Sequence, residues 1–291
     1  MLAIVGNCRE TLLLLSHINM YGETEICLPT PTGKQPIRTK HKFTKNILMP
    51  LDINLSESSG TYADDFVSSQ PKQKYFVPIC PNTFMVNRSF LHEYIPELIN
   101  KKLNLNIVIG DYLERHNYMF FYDMNENDAL TRINRKSKKV YETIKSIVKD
   151  KNANESVQLH SFYDYIETEE SRHIGNSIRK FKNMNESFAE DFREQSNYFL
   201  NSAVRKLGVN INNYLNKGKS CLEEYLIEEI QAYICLYQNG FVGEIYPGKD
   251  LNIFEKMTQG KYDNFPFDYS DRTYISVNLS TENGNSYAKQ I

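Results

Sequence analysis

From residue 75 onward the apolar and polar positions fall into a succession of strand and helix patterns. Tyr75-Phe76-Val77-Pro78-Ile79-Cys80 is an unbroken, largely apolar run closed by the turn-forming pair Pro81-Asn82, the signature of a buried strand entering a loop. Ser89 to Lys102 places Phe90, Leu91, Tyr94, Ile95 and Leu98 on one face and predicts a helix. Asn106-Ile107-Val108-Ile109-Gly110-Asp111 predicts a second buried strand. Strand, helix and strand in close succession make a βαβ unit, hence parallel strands and a right-handed crossover. Further on, the pattern predicts mixed loop and helix over 113–125 and a long helix over 128–151. A third strand is expected at 157–162, one or two helices over 168–207, and another helix over 215–236. Tyr274 to Leu279 alternates, with Ile275, Val277 and Leu279 on one side, as a strand does; the polar tail from Ser280 is expected to fray. The expected fold class is therefore α/β, with a mostly parallel central sheet flanked by helices.

Residues 1–72 read differently. Met1 to Ile18 can supply a short strand and an apolar helix, whereas Thr24 to Lys72 is rich in Pro, Thr, Ser and Lys with little periodicity, which reads as irregular or extended. The stretch is expected to be an N-terminal extension, either packed on the main domain or mobile. The whole chain of 291 residues is 41% hydrophobic and 24% charged with a formal net charge of −2, enough for one large domain plus an extension. No run approaches the length of a membrane span, and Arg9-Glu10 before the short Leu12–Leu15 run is not the basic flank of a signal peptide. The five cysteines, Cys8, Cys27, Cys80, Cys221 and Cys235, are odd in number and widely spaced. They suggest neither a zinc site nor a disulfide framework, so no metal is expected and a reducing cytoplasm is the simplest setting.

Candidate chemistry gathers at a few positions. Open parallel sheets take ligands beyond the carboxyl ends of their strands, at a switch in strand order, and Cys80 sits at such an end. Alone, a cysteine there is more often a small buried hydrophobe; a position before a helix would favour its thiolate. Tyr225 and Glu229 lie four apart, so in a helix they share a face with Cβ atoms about 5–6 Å apart. A phenol and a carboxylate so placed can grip an ammonium group and pass a proton, although an apolar helix with a solvated Glu accounts for the spacing equally well. Between 132 and 151 the chain carries Arg132, Arg135, Lys136, Lys138, Lys139, Lys145, Lys149 and Lys151 against Glu142 and Asp150. A charge run is usually a solvated face, but this imbalance in a nearly neutral protein fits a phosphate backbone. His173-Ile174-Gly175-Asn176 has the look of an ATP-binding signature, but it lies in a polar helical stretch and reads as coincidence; glycine-rich phosphate loops are absent from the sequence. His116 and His160 read as structural or surface residues.

Taken in order, Ile79-Cys80-Pro81-Asn82-Thr83, the basic helix, the long helical stretch, Tyr225-Leu226-Ile227-Glu228-Glu229 and Tyr246-Pro247 resemble the active site of the cyclodipeptide synthases. Those enzymes join the amino acids of two aminoacyl-tRNAs into a cyclic dipeptide, and they resemble the catalytic domain of class I aminoacyl-tRNA synthetases. The resemblance covers roughly 75–286 and implies a Rossmann-like catalytic domain over 73–291. One departure is plain: the family's usual nucleophilic Ser is here Cys80. Thr83 and Pro247 resemble the Tyr-Pro branch of the family.

The resemblance further implies that Cys80 takes the first aminoacyl group as a thioester, an acyl donor that amines attack readily. Tyr225 and Glu229 would hold its α-amino group, Glu229 would help move protons, and Tyr246 would relay a proton in ring closure. Phe76, Pro78, Val108, Gly110 and Ala232 would line the first amino-acid pocket, with Phe76 and Pro78 narrowing it toward a small or polar side chain. Glu244 would either join them or face water. Arg132, Arg135, Lys136, Lys138, Lys139 and Lys145 would contact tRNA. The expected partners are two aminoacyl-tRNAs per turnover acting on a monomer, and no cofactor is expected because the tRNA ester carries the activation. Two rival readings stay open: a thiol acyltransferase or hydrolase with a distant His, and a tRNA-binding relative without catalysis.

Overall fold

The structure, a computed structural model, describes residues 23–28, 37–42, 51–57, 74–81, 88–100, 104–207, 215–247 and 250–281. Its strands are β1 (Glu23–Leu28), β2 (Ile37–Lys42), β3 (Leu51–Glu57), β4 (Lys74–Ile79), β5 (Leu105–Ile109), β6 (Val157–Ser161), β7 (Phe241–Pro247) and β8 (Thr273–Thr281). Its helices are α1 (Arg88–Asn100), α2 (Arg115–Phe121), α3 (Glu126–Asp150), α4 (Tyr163–Ile166), α5 (Glu169–Met184), α6 (Glu186–Leu207), α7 (Leu215–Gln238) and α8 (Asn252–Thr258).

Six strands form one sheet in the order β3-β8-β7-β4-β5-β6. β8, β7, β4, β5 and β6 are all parallel, and β3 closes the β8 edge antiparallel. β4 and β5 are buried along almost their whole length, as central strands of a parallel sheet covered on both faces must be. Side-chain alternation sorts them between two cores. Tyr75, Val77, Ile79, Leu105, Ile107 and Ile109 point toward α1 and α3, while Phe76 and Val108 point toward the layer that contains α5, α6, α7 and α8.

Local signals set the helix boundaries. Asn125 caps α3 by accepting from the Asp128 N–H at 2.9 Å, and Glu126 and Asp128 complement the positive end of the helix. One face of α3, including Ile133, Val140, Ile144 and Ile147, is buried. Thr168 caps α5 through the Ser171 N–H. Asn185 then ends α5 and starts α6, its side chain accepting from the Phe188 N–H at 2.9 Å. The stretch 168–207 is thus two helices because one asparagine caps the second.

Three features depart from expectation. The segment 24–72, read as irregular or extended, contains β1 paired with β2, and β3 within the main sheet. Ser280 and Thr281, expected to fray, are paired with Asp52 and Leu51. β7 and α8 carried no expectation at all. The helix expected within 1–18 and the tail beyond 281 lie outside the described residues.

β7 and β8 approach very closely at Gly243, where an added Cβ would sit 2.3 Å from the Thr273 carbonyl oxygen and 2.9 Å from its Cβ. Backbone cannot swing aside as a side chain can. Gly243→Ala is therefore expected to lower stability by about 1–3 kcal/mol through overpacking, read as a lower thermal midpoint. A midpoint equal to that of the unaltered protein would show that β8 shifts without cost.

Candidate active site

The strand order turns back between β4 and β7: the chain builds β4, β5 and β6 outward, then returns to lay β7 and β8 on the other side. A crevice opens at such a point beyond the carboxyl ends of the two strands. Cys80 directly follows β4 and Tyr246 lies near the end of β7. The geometry of the sheet alone brings these two together.

The third contributor is α7. Every residue from Tyr225 to Leu236 is buried, because α2, α4, α5, α6 and β7 all pack against this helix. Its Tyr225 and Glu229, one turn apart, meet Cys80, Tyr246 and Pro78 around a narrow cleft with a cavity volume of about 20 Å³, so the side chains as they stand leave room for little more than a water. The apolar wall is Leu113, Phe162, Phe199, Tyr233 and Leu251. Phe162 and Tyr233 stack at 5.9 Å, and Phe254 stacks on the Tyr233 ring at 5.2 Å, so one side of the cleft is a column of aromatic rings. Cys80 is a part-buried thiol, while Tyr225, Glu229 and Tyr246 are buried.

Of the residues expected to line an amino-acid pocket, Pro78 borders this cleft. Phe76, Val108, Gly110 and Ala232 are buried. Gly110 lies behind Phe162, whose ring atoms would be 3.4 Å from a Cβ there, and Phe76 meets Tyr233 edge to face at 5.3 Å. Both support rings that line the cleft. Glu244 does not face water: it is fully buried and paired with Arg272 at 3.2 Å. Arg272 also pairs with Asp250, and its guanidinium lies over the rings of Phe254, Tyr269 and Tyr274 at 5.2–5.6 Å.

On α3, Arg132, Arg135, Lys138, Lys139, Lys145 and Lys149 are exposed, as is Lys151 just past its end. As the crossover between parallel β5 and β6, α3 runs back along the sheet, which leaves its Arg132 end nearer the crevice. Arg132 lies over the rings of Tyr118 and Tyr122 at 5.5 and 5.1 Å. Lys136 is part-buried with its ammonium 5.4 Å from the Tyr118 centroid, and burial, opposed by Glu114, brings its pKa down to about 8.

The His173-Ile174-Gly175-Asn176 run is accounted for by packing. Gly175 faces α7 so closely that a Cβ would fall 2.2 Å from Gln231 Oε1, and Gln231 is itself anchored by donating to Ser171 Oγ at 2.6 Å. His160, as expected, is structural: Asn106 and Tyr165 both lie 3.1 Å from its ring nitrogens, and burial lowers its pKa. Thr83 lies outside the described residues.

Sequence reasoning did not find the cluster behind α7. Arg115 donates through Nη1 and Nη2 to the two oxygens of Glu228, both at 2.6 Å, and His116 Nε2 lies 2.9 Å from Glu228 Oε2. Burial alone would raise the Glu228 pKa, but the hydrogen bonds from His116 and Arg115, with their charge, bring it down to about 2. A second glutamate beside Glu229 was the one visible sign. Among the described residues, no group of three or more His, Cys, Asp or Glu could hold a metal ion, and no helix is long and apolar enough to cross a membrane.

No family model and no curated protein matches the sequence. Solved structures do match. A cyclodipeptide synthase from Fluoribacter dumoffii superposes with a TM-score of 0.62 at 14% identity, over 79% of this chain and 100% of its own. One from Staphylococcus haemolyticus gives 0.59 at 12% identity over 79% and 100%. This chain has the cyclodipeptide synthase fold. A Mycobacterium tuberculosis protein, whose structure relates cyclodipeptide synthetases to type I tRNA synthetases, gives 0.56 at 9% identity over 80% of this chain and 94% of its own.

The Glu228 carboxyl has an ordinary pKa of 4.5 and one of about 2 in the fold, a difference worth on the order of 3 kcal/mol. Because the folded value is depressed, this stability is complete above about pH 4.5 and is lost as pH falls toward 2. Glu228→Gln should lower the urea midpoint at pH 7 and flatten the loss of stability across that acid range. A midpoint that still falls as steeply in the variant would assign the acid sensitivity to other carboxylates.

Proposed function

We propose that the protein is a tRNA-dependent cyclodipeptide synthase working through a thioester on Cys80. The observation that carries the reading is the meeting of Cys80, Tyr225, Glu229 and Tyr246 in one cleft at the strand-order switch, within the fold of that family. The Cys80 thiolate attacks the ester carbonyl of the first aminoacyl-tRNA; the carbon–oxygen bond to the tRNA breaks, and the departing hydroxyl takes up a proton. Tyr225 and Glu229 hold the α-amino group of the bound aminoacyl unit. That amine, losing a proton toward Glu229, attacks the ester carbonyl of a second aminoacyl-tRNA; the carbon–oxygen bond to that tRNA breaks, its hydroxyl takes up a proton, and a dipeptidyl thioester remains on Cys80. The new terminal amine then attacks the Cys80 carbonyl, the carbon–sulfur bond breaks, and Tyr246 relays the proton as the diketopiperazine leaves. Replacement of Ser by Cys suits this route, since a thioester is an acyl donor amines attack readily. Pro247 after Tyr246 supports placement in the Tyr-Pro branch.

The exposed face of α3 is the proposed tRNA contact, with Arg132, Arg135, Lys138, Lys139 and Lys145 reaching phosphates. Lys136, held against Tyr118, extends the same row. Phosphate contacts position the tRNA without reading its sequence. The aromatic wall of the cleft favours an apolar first side chain over the small or polar one expected from Phe76 and Pro78.

Incubation with charged tRNAs should yield a cyclic dipeptide detectable by mass. Cys80→Ala should abolish labelled acyl-enzyme while retaining tRNA binding. Covalent label on the Ala variant would overturn the nucleophile, and retained tRNA without product from the unaltered protein would favour a binding protein. Changing Arg135, Lys138, Lys139 and Lys145 together to Gln should weaken tRNA binding and reduce its log–log salt slope by up to about four. An unchanged slope would move the tRNA site elsewhere.

A further inference from the structure

The amine-binding pair must face the cleft, and a helix can turn about its axis or slide. Glu228 lies about 100° around α7 from Glu229 and one turn beyond Tyr225, which makes it the natural handle for fixing that rotation. The handle is gripped by the first turn of α2. Arg115 holds both Glu228 oxygens in a two-bond fork, and His116, beside the same carboxylate, meets the Tyr225 ring edge to face at 6.5 Å.

We infer that Arg115 and His116, acting through Glu228, are positioning residues that set Tyr225 in the cleft. This rests on the reading of Tyr225 as a binder of the α-amino group.

The fork is itself held from several sides. Arg115 Nε donates to Glu126 at 2.8 Å, Nη1 also donates to the Tyr112 carbonyl at 3.1 Å, and the guanidinium lies 3.8 Å above the Tyr112 ring. Tyr112 in turn donates its hydroxyl to Glu167 at 2.5 Å. The loop carrying Tyr112 begins at Gly110, whose N–H donates to the Ile79 carbonyl at 2.9 Å, and Ile79 immediately precedes Cys80. One short chain of contacts therefore references the nucleophile and the amine-binding helix to the same loop.

Stability alone does not account for the arrangement. A buried ion pair gains little over well-packed apolar side chains of similar size, because desolvation offsets its attraction. What apolar contacts lack is direction: two parallel N–H···O bonds fix an angle as well as a distance.

Arg115→Met with Glu228→Leu removes both charges of the fork, leaving Glu126 half exposed to water and His116 free to stay neutral, and should keep a thermal midpoint near that of the unaltered protein. Arg115→Lys keeps the charge and loses the fork, and serves if the double variant does not fold. In either variant the kcat for cyclic dipeptide should fall about 10- to 100-fold, as expected for a misplaced reacting group. KM for aminoacyl-tRNA should stay within about twofold, since none of the basic residues of α3 is altered, and single-turnover acylation of Cys80 should persist. An unchanged kcat in a folded variant overturns the inference. If the unaltered protein makes no cyclic dipeptide, the functional reading fails instead. The inference is then judged on a crystal structure of the Arg115→Lys variant. A Tyr225 ring displaced beyond about 0.5 Å, the tolerance of a preorganised site, supports it, and an unmoved ring overturns it.

Discussion

From Tyr225 to Leu236 α7 is buried on every side, with no water-facing stripe on which to place its polar groups, and this stretch carries several. Each must be answered from a neighbouring element or bear the cost of desolvation. Just before this stretch, the partly exposed Glu223 and Glu224 pair with Lys182 and Arg179 of α5 at 2.8 and 2.7 Å. Arg115 and His116 answer Glu228, and Ser171 accepts from Gln231. These pairs hold one rotation of the helix among the elements around it. Tyr225 and Glu229 face the cleft because their neighbours in sequence are committed elsewhere.

The sheet supplies the other half of the constraint. With β4 and β7 adjacent and the helices that follow them, α1 and α8, packed in opposite layers, a crevice between the two strand ends is available. The side chains that meet there come from regions far apart in sequence: the end of β4, the middle of α7 and the end of β7. Phe76 and Gly110, buried behind Tyr233 and Phe162, shape the wall without touching its surface.

What the sequence made legible follows from distance along the chain. β4 and β5 could be read because a continuous apolar run bounded by turn formers fits little besides a buried strand, and α1 because its apolar residues recur at helical spacing. The Tyr225–Glu229 pair was legible because helical spacing is local, and the basic side of α3 because charge imbalance is local too. β7 escaped notice because Gly243 and Glu244 interrupt its apolar pattern; Gly243 serves close strand packing and Glu244 a buried pair with Arg272. β3 escaped because edge strands carry polar residues, as Asp52, Asn54 and Ser56 do here. The Arg115–Glu228 fork joins residues 113 apart, and no periodicity reaches so far. The single Asn185 that separates α5 from α6 was visible, but nothing local distinguished a cap from a tolerated polar residue within a longer helix.

The antiparallel strand β3 has a further consequence. It lies along β8 and satisfies a row of backbone groups that would otherwise face solvent. A shortened form of the chain starting after residue 57 would bare that flank, and an uncovered strand is an invitation to a second molecule. β3 thus covers an edge through which copies of a shortened chain could pair.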